Sequence, residues 1–134
     1  MGQQGGCRCG AIRYEVSGEP RHRSLCHCAD CRRSAGATPV AWAGFARAQV
    51  LVLSGAPQTY ASSPGVLRRF CAACGTGLFY ECEAVSPGLI DVQTATFDDA
   101  EAFPPTQHVQ LADRPAWSAA AHLLPGFARF PSTD

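Results

Sequence analysis

The chain carries eight cysteines, and seven of them fall into three tight clusters: Cys7 with Cys9; Cys26, Cys28 and Cys31; and Cys71 with Cys74. Nothing else limits the fold as strongly, because the sulfurs of each cluster converge only if the backbone around them takes one of a few shapes. In an extended segment side chains alternate between faces, so Cys7 and Cys9 are expected on one side with Arg8 on the other. In "CAACG" the two intervening residues turn the chain until both sulfurs meet, and Gly75 can take the positive φ that so tight a turn demands. That stretch reads as a metal-binding knuckle between the strand-like "RRF" and "GLFYEC". Cys82, alone at the end of a strand pattern, reads as a small apolar filler.

Clustered thiols mean disulfides or metal, and compartment decides between them. The opening "MGQQGGCRCG" has neither the basic start nor the apolar run of a secretory signal. No stretch approaches the roughly 18 apolar residues of a membrane span. A soluble, cytoplasmic protein is therefore expected, in which thiols stay reduced. Metal is then the reading. Four thiolates close a structural zinc site, whereas three leave a place for water or substrate. Cys7, Cys9, Cys71 and Cys74 make four and leave Cys26, Cys28 and Cys31 as three. The spacing equally allows Cys26 and Cys28 to join Cys71 and Cys74, and tetrahedral sulfur also suits iron.

Between the clusters, ten prolines and thirteen glycines interrupt the 134 residues every few positions. Apolar alternation recurs in "AIRYEV" (11–16), "LVL" (51–53), "VLRRF" (66–70), "GLFYEC" (77–82), "LIDVQTATF" (89–97) and "HVQL" (108–111). "GEP", "SGAP", "SSPG" and "SPG" supply the turns, and short helical turns are expected near 29–34 and 116–123. The expected architecture is one mostly-β domain over 1–134, built of short antiparallel strands, with a loose tail after Phe130. Trp42, Phe45, Phe70, Phe79 and Trp117 are assigned to the core. The formal charge is zero, which argues against nucleic acid or an anionic membrane as partner. All eleven basic residues are arginine, so lysine Schiff-base chemistry is excluded.

"GGCRCGAIRYEV", "CHCADCRRSAGA" and "RRFCAACGTGLFYEC", with "HVQLADRPAW" downstream, resemble the glutathione-dependent formaldehyde-activating enzymes. This family, also called S-(hydroxymethyl)glutathione synthase-like, shares its domain with the centromere protein V group. The match runs from about Gly6 to about Pro125. The resemblance implies a zinc-binding β-fold of the Mss4-like type with small antiparallel sheets. It implies structural zinc on Cys7, Cys9, Cys71 and Cys74, and a second, labile catalytic zinc on Cys26, Cys28 and Cys31. It also implies a carbon–sulfur lyase-like activity that forms or cleaves a thiol–aldehyde adduct, with glutathione and formaldehyde as substrates.

Glutathione carries two carboxylates, and Arg32, Arg33, Arg68 and Arg69 flank the clusters as candidate clamps. His27, between two ligands, is expected to point away from the metal and hydrogen-bond elsewhere. Asp30 is expected to cap a turn rather than act as a base, and His108 and His122 to be structural or surface residues. The rival readings are a non-catalytic zinc β-module that binds proteins and, further off, a rubredoxin-like iron carrier. Oligomeric state is not legible in the sequence.

Overall fold

The computed structural model describes residues 2–131. In chain order the elements are β1 (Gly2–Gly6), β2 (Arg13–Ser17), β3 (His22–Cys26), α1 (Ala29–Ala35), β4 (Val40–Ala46), β5 (Val50–Ser54), β6 (Gln58–Ser63), β7 (Val66–Phe70), β8 (Gly77–Cys82), β9 (Leu89–Gln93), β10 (Gln107–Val109) and α2 (Ala116–Ala119). They form a three-stranded sheet, β1-β2-β5, and a seven-stranded sheet, β10-β3-β4-β9-β8-β7-β6. The pairing is antiparallel except where β10 runs parallel to β3.

The larger sheet is covered on both faces, and the alternation along β4 and β9 shows how. On one face Phe45 stands opposite Ile90 and Ala43 opposite Val92, with Phe79 of β8 beside Val92. Ile12, just ahead of β2, and Tyr14 and Val16 of the small sheet pack onto this face to make the main core. Tyr14 is fully buried between Phe79 and Phe97, at ring-centre distances of 5.3 and 5.5 Å. Its hydroxyl meets the Thr96 hydroxyl at 2.7 Å, so the buried oxygen is not left without a partner. Each such large side chain, fully buried, stabilises the fold by about 1.5–3 kcal/mol.

The other face is smaller and more polar. Val40, Trp42, Tyr80 and Val109 gather there around Cys26, Cys28 and Cys31. A row of paired residues crosses this face from strand to strand: His22 opposite Gly44, Gly44 opposite Asp91, Asp91 opposite Tyr80 and Tyr80 opposite Arg68. Partners in register project to the same side of a sheet, so these side chains share one surface.

The expected strands at 51–53, 66–70 and 77–82 are present as β5, β7 and β8, and the helical turns near 29–34 and 116–123 as α1, α2 and a 3-10 turn at Ala121–Leu123. "LIDVQTATF" and "HVQL" are strands only at their starts and end in 3-10 turns. β1, β3, β4 and β6 arise where no strand is expected from the sequence. Cys7 to Gly10 is a turn, not an extended run, with the Gly10 N–H donating to the Cys7 carbonyl at 3.1 Å. Trp117, expected in the core, is 65% exposed. Beyond Pro131, the expected loose tail lies outside the described residues.

Candidate functional site

Two groups of sulfurs stand apart in the structure. The first is Cys7, Cys9, Cys71 and Cys74, and the second Cys26, Cys28 and Cys31; within each group the sulfurs lie within 4.8 Å of one another. All these cysteines are free thiols. The alternative grouping of Cys26 and Cys28 with Cys71 and Cys74 is not formed.

The quartet is made by two matching turns. One closes with the Gly10 N–H on the Cys7 carbonyl, the other with the Gly75 N–H on the Cys71 carbonyl at 2.7 Å. Gly10 and Gly75 take φ values of 81° and 83°, which a side chain would strain. Thr76 ties the turns together: its hydroxyl accepts from the Arg8 N–H at 3.0 Å and meets the Cys74 sulfur at 3.2 Å. That hydroxyl, with the neighbouring amides, pulls the Cys74 thiol down to about 5. Four thiolates bonded to one zinc at ~2.3 Å would stand about 3.8 Å apart. Cys7–Cys9 and Cys9–Cys71 separations of 3.6 and 3.8 Å fit that donor set.

The trio is assembled differently. Cys26 ends β3, Cys28 is the N-cap of α1, and Cys31 follows in the first turn, its N–H donating to the Cys28 sulfur at 3.2 Å. Arg68 reaches over from β7, 8% exposed. Its Nη2 donates to Asp30 Oδ2 at 2.7 Å and to the Cys31 sulfur at 3.6 Å, and the guanidinium lies over the Tyr80 ring, 4.8 Å from its centre. Hydrogen bonding from Cys26, and then from Arg68, pulls the Cys31 thiol down to about 5, while the same bond to Cys31 pushes the Cys26 thiol up. The trio thus sets its most acidic thiol beside the Arg68 cation. A soft three-sulfur set of this kind suits zinc with a position to spare.

The trio forms part of the wall of a cleft of about 500 Å³, together with Trp42, Arg68, Tyr80, His22, Asp91 and Gln107. Support for this wall comes from far along the chain. β10 pairs with β3, His108 Nδ1 meets His27 Nε2 at 2.8 Å, and Asp113 Oδ2 accepts from the Ala29 N–H at 3.2 Å. His27 is turned from the sulfurs and buried, as expected, and burial lowers its pKa. His108, expected to be a structural or surface residue, is exposed and serves as its partner. Asp30, expected to cap a turn, pairs instead with Arg68.

The other candidate clamps are scattered. Arg69 projects from the face of β7 opposite Arg68 and pairs with Glu81 at 2.8 Å. Arg32 is half-buried and Arg33 exposed on α1, and neither joins an ion pair among the described residues. Sequence reasoning missed His22 and Asp91, which meet at 2.8 Å in the cleft wall. Two signals were available. "HRSLC" places His22, Ser24 and Cys26 on one strand face by alternation, and "LIDVQ" embeds a carboxylate in an apolar strand.

Comparison with known proteins bears on the same residues. The family model described as "Glutathione-dependent formaldehyde-activating enzyme" matches residues 2–113. A Halomonas elongata protein named "Putative glutathione-dependent formaldehyde-activating enzyme" is 32% identical over 124 aligned residues, covering 85% of this chain and 78% of that one. In shape the chain is similar to the crystal structure of a Rhodobacter sphaeroides protein, with a TM-score of 0.61 at 24% identity, over 77% of this chain and 99% of the other.

Proposed function

The chain belongs to the glutathione-dependent formaldehyde-activating enzyme family, and from that premise we propose that it is a carbon–sulfur lyase-type enzyme. It joins a small thiol to an aldehyde, or separates them, with glutathione and formaldehyde as the substrate pair. The observation that carries this reading is the position of the trio: three sulfurs in the wall of a cleft large enough for a small peptide thiol. The quartet lines no part of that cleft.

In this reading Cys7, Cys9, Cys71 and Cys74 hold a structural zinc, and Cys26, Cys28 and Cys31 a second, more labile one. Zinc in the trio would supply a Lewis-acid position that keeps the substrate sulfur deprotonated. The chain's own residues do the rest. Arg68 donates to the Cys31 sulfur and to Asp30, bridging β7 and α1, so the ligand loop is tied to the sheet. Trp42 and Tyr80 give the cleft an apolar floor beside the sulfurs. Of the four candidate clamps only Arg68 lines the cleft, and Arg32 and Arg33 of α1 lie outside its lining, so a carboxylate of a peptide thiol would meet Arg68 first. Arg68 and Arg69 already have carboxylate partners.

The test is a zinc count on the purified protein together with NMR exchange between free formaldehyde and its glutathione adduct. Two zinc per chain and accelerated exchange support the proposal. A single zinc, retained in Cys28→Ser, with no acceleration by the wild type, would leave only a zinc-stapled β-module.

A further inference from the structure

Gly44 sits mid-strand in β4, the central strand between β3 and β9. A residue there would normally carry a side chain onto the cleft face. Its absence opens a lane. Across that lane His22 of β3 reaches over the intervening strand, and its Nε2 meets Asp91 Oδ1 of β9 at 2.8 Å. A Cβ on Gly44 would collide with the His22 ring and stand 2.7 Å from Asp91 Oδ1. Glycine in a central strand costs stability relative to any larger residue, and this glycine makes possible a bond between non-adjacent strands.

The chemistry of the pair follows from its atoms. Asp91 is 8% exposed; its carboxylate can only accept, so His22 Nε2 carries hydrogen in either protonation state. The atom left to gain or lose a proton is Nδ1, which lies 3.3 Å from the Ser24 hydroxyl. Ser24 is 4% exposed, and its oxygen also accepts from Gln107 Nε2 at 2.9 Å. When Nδ1 is protonated, both acceptor positions on Ser24 Oγ are filled, one by Nδ1–H and one by Gln107. The serine hydrogen is then free to donate into the cleft. Along β3 the order is His22, Ser24, Cys26, every second residue on one face, so Ser24 stands between the imidazole and the sulfurs.

We propose that the His22–Asp91 pair, held open by Gly44, is the proton-transfer device of the cleft, working through the Ser24 hydroxyl. The proposal rests on the thiol–aldehyde reading above. In adduct formation the thiolate sulfur attacks the aldehyde carbon, the carbon–sulfur bond forms, and the carbonyl π pair moves to oxygen. Ser24 gives that oxygen its hydrogen and takes the Nδ1 proton in its place. The neutral imidazole recovers a proton from solvent, matching the one the thiol released on ionising. Net, thiol plus aldehyde gives the hydroxyalkyl thioether. In cleavage every transfer runs backwards, with His22 as base.

His22 shares the lining of the cleft with Asp91 of β9, Tyr80 of β8, Arg68 of β7, Asp30 of α1 and the trio's thiols. Of these Asp91 is the group that reaches its ring, and its hydrogen bond raises the His22 pKa.

The experiment measures initial rates of adduct formation by the zinc-loaded full chain from glutathione and formaldehyde across pH, for wild type, His22→Gln, Ser24→Ala, Asp91→Asn and Gly44→Ala. His22→Gln is expected to lose roughly a hundredfold, the lower end for a positioned acid–base group, with its zinc count unchanged. The ratio of wild-type to His22→Gln rates cancels ionisation of the substrate thiol. It should be high at low pH and fall as pH rises through the His22 pKa. Asp91→Asn and Gly44→Ala should move that fall to lower pH, and NMR titration of the His22 ring should move with them. A wild-type rate for His22→Gln, or a lowered rate whose ratio to wild type is flat with pH, overturns the proposal and leaves the thiol–aldehyde reading standing. An inert wild type overturns both. Should His22→Gln fail to fold, Ser24→Ala, which keeps the ring and its carboxylate, carries the same expectation of a large loss and the same power to refute.

Discussion

The quartet and the trio use one residue type for opposite ends. The quartet joins two turns that lie some sixty residues apart, its pairs linked by Thr76, and two of its cysteines are exposed. Its sulfurs line no part of the cleft that the trio borders. The trio comes from six consecutive positions, so closing it ties no distant segments together, and it relies on Arg68, β10 and Asp113 to hold it against the sheet. Sulfurs that span a long loop stabilise; sulfurs that span a short one are free to serve chemistry, because the fold does not depend on their being saturated.

Breaking the quartet should have the largest effect. If the quartet holds zinc as proposed, Cys71→Ser or Cys7→Ser would remove an ion whose binding is linked to folding by ~10–16 kcal/mol, against a whole-domain stability of about 5–15 kcal/mol. The variants should be insoluble or lack cooperative melting by circular dichroism; a normally melting Cys71→Ser would end the contrast. Cys28→Ser should do the reverse, melting within a few degrees of wild type while one zinc and all adduct exchange are lost. If its activity survives, the trio has no part in the chemistry.

Smaller changes sharpen the boundary. Arg68→Leu strips the cation from Cys31 and leaves Asp30, which is largely exposed, to find water. A loss of about 1–3 kcal/mol in urea unfolding is expected, with zinc lost from the trio before the quartet in chelator titrations. The opposite order would mean Arg68 serves stability alone. Thr76→Val removes the hydroxyl shared by the two turns and should cost about 1 kcal/mol while keeping both metals. Least in size is a pH effect on the trio's side. The folded pKa of His22 is raised, so its contribution to stability is complete below the unfolded value of about 6.5 and disappears as pH rises through the folded one. Wild type should lose this increment as pH rises above the unfolded value and through the raised folded one, and Asp91→Asn should show no such loss; parallel curves would place the ion pair's benefit elsewhere.

What could be read from the sequence follows the same division. The knuckle at 71–75 and the flanking β7 and β8 were legible because an alternating pattern bounded by a cysteine turn admits one local shape, whereas spacing alone left the quartet's partners open and only the family resemblance chose between the groupings. β4 was not, since "VAWAGFA" is covered on both faces and reads as an unpatterned apolar run broken by a glycine. β3 was hidden for a related reason: "HRSLC" puts polar side chains on a covered face, and that violation is the site. The missed Trp117 reflects a segment whose aromatic residues suggest burial although no layer of the fold lies over them.

The parallel seam between β10 and β3 also orders events in time. His108 lies 81 positions after His27, so a ribosome delivers the cysteine loop long before the residues that brace it. Until Asp113 has emerged, the growing chain holds the three thiols without the brace that β10 and Asp113 supply.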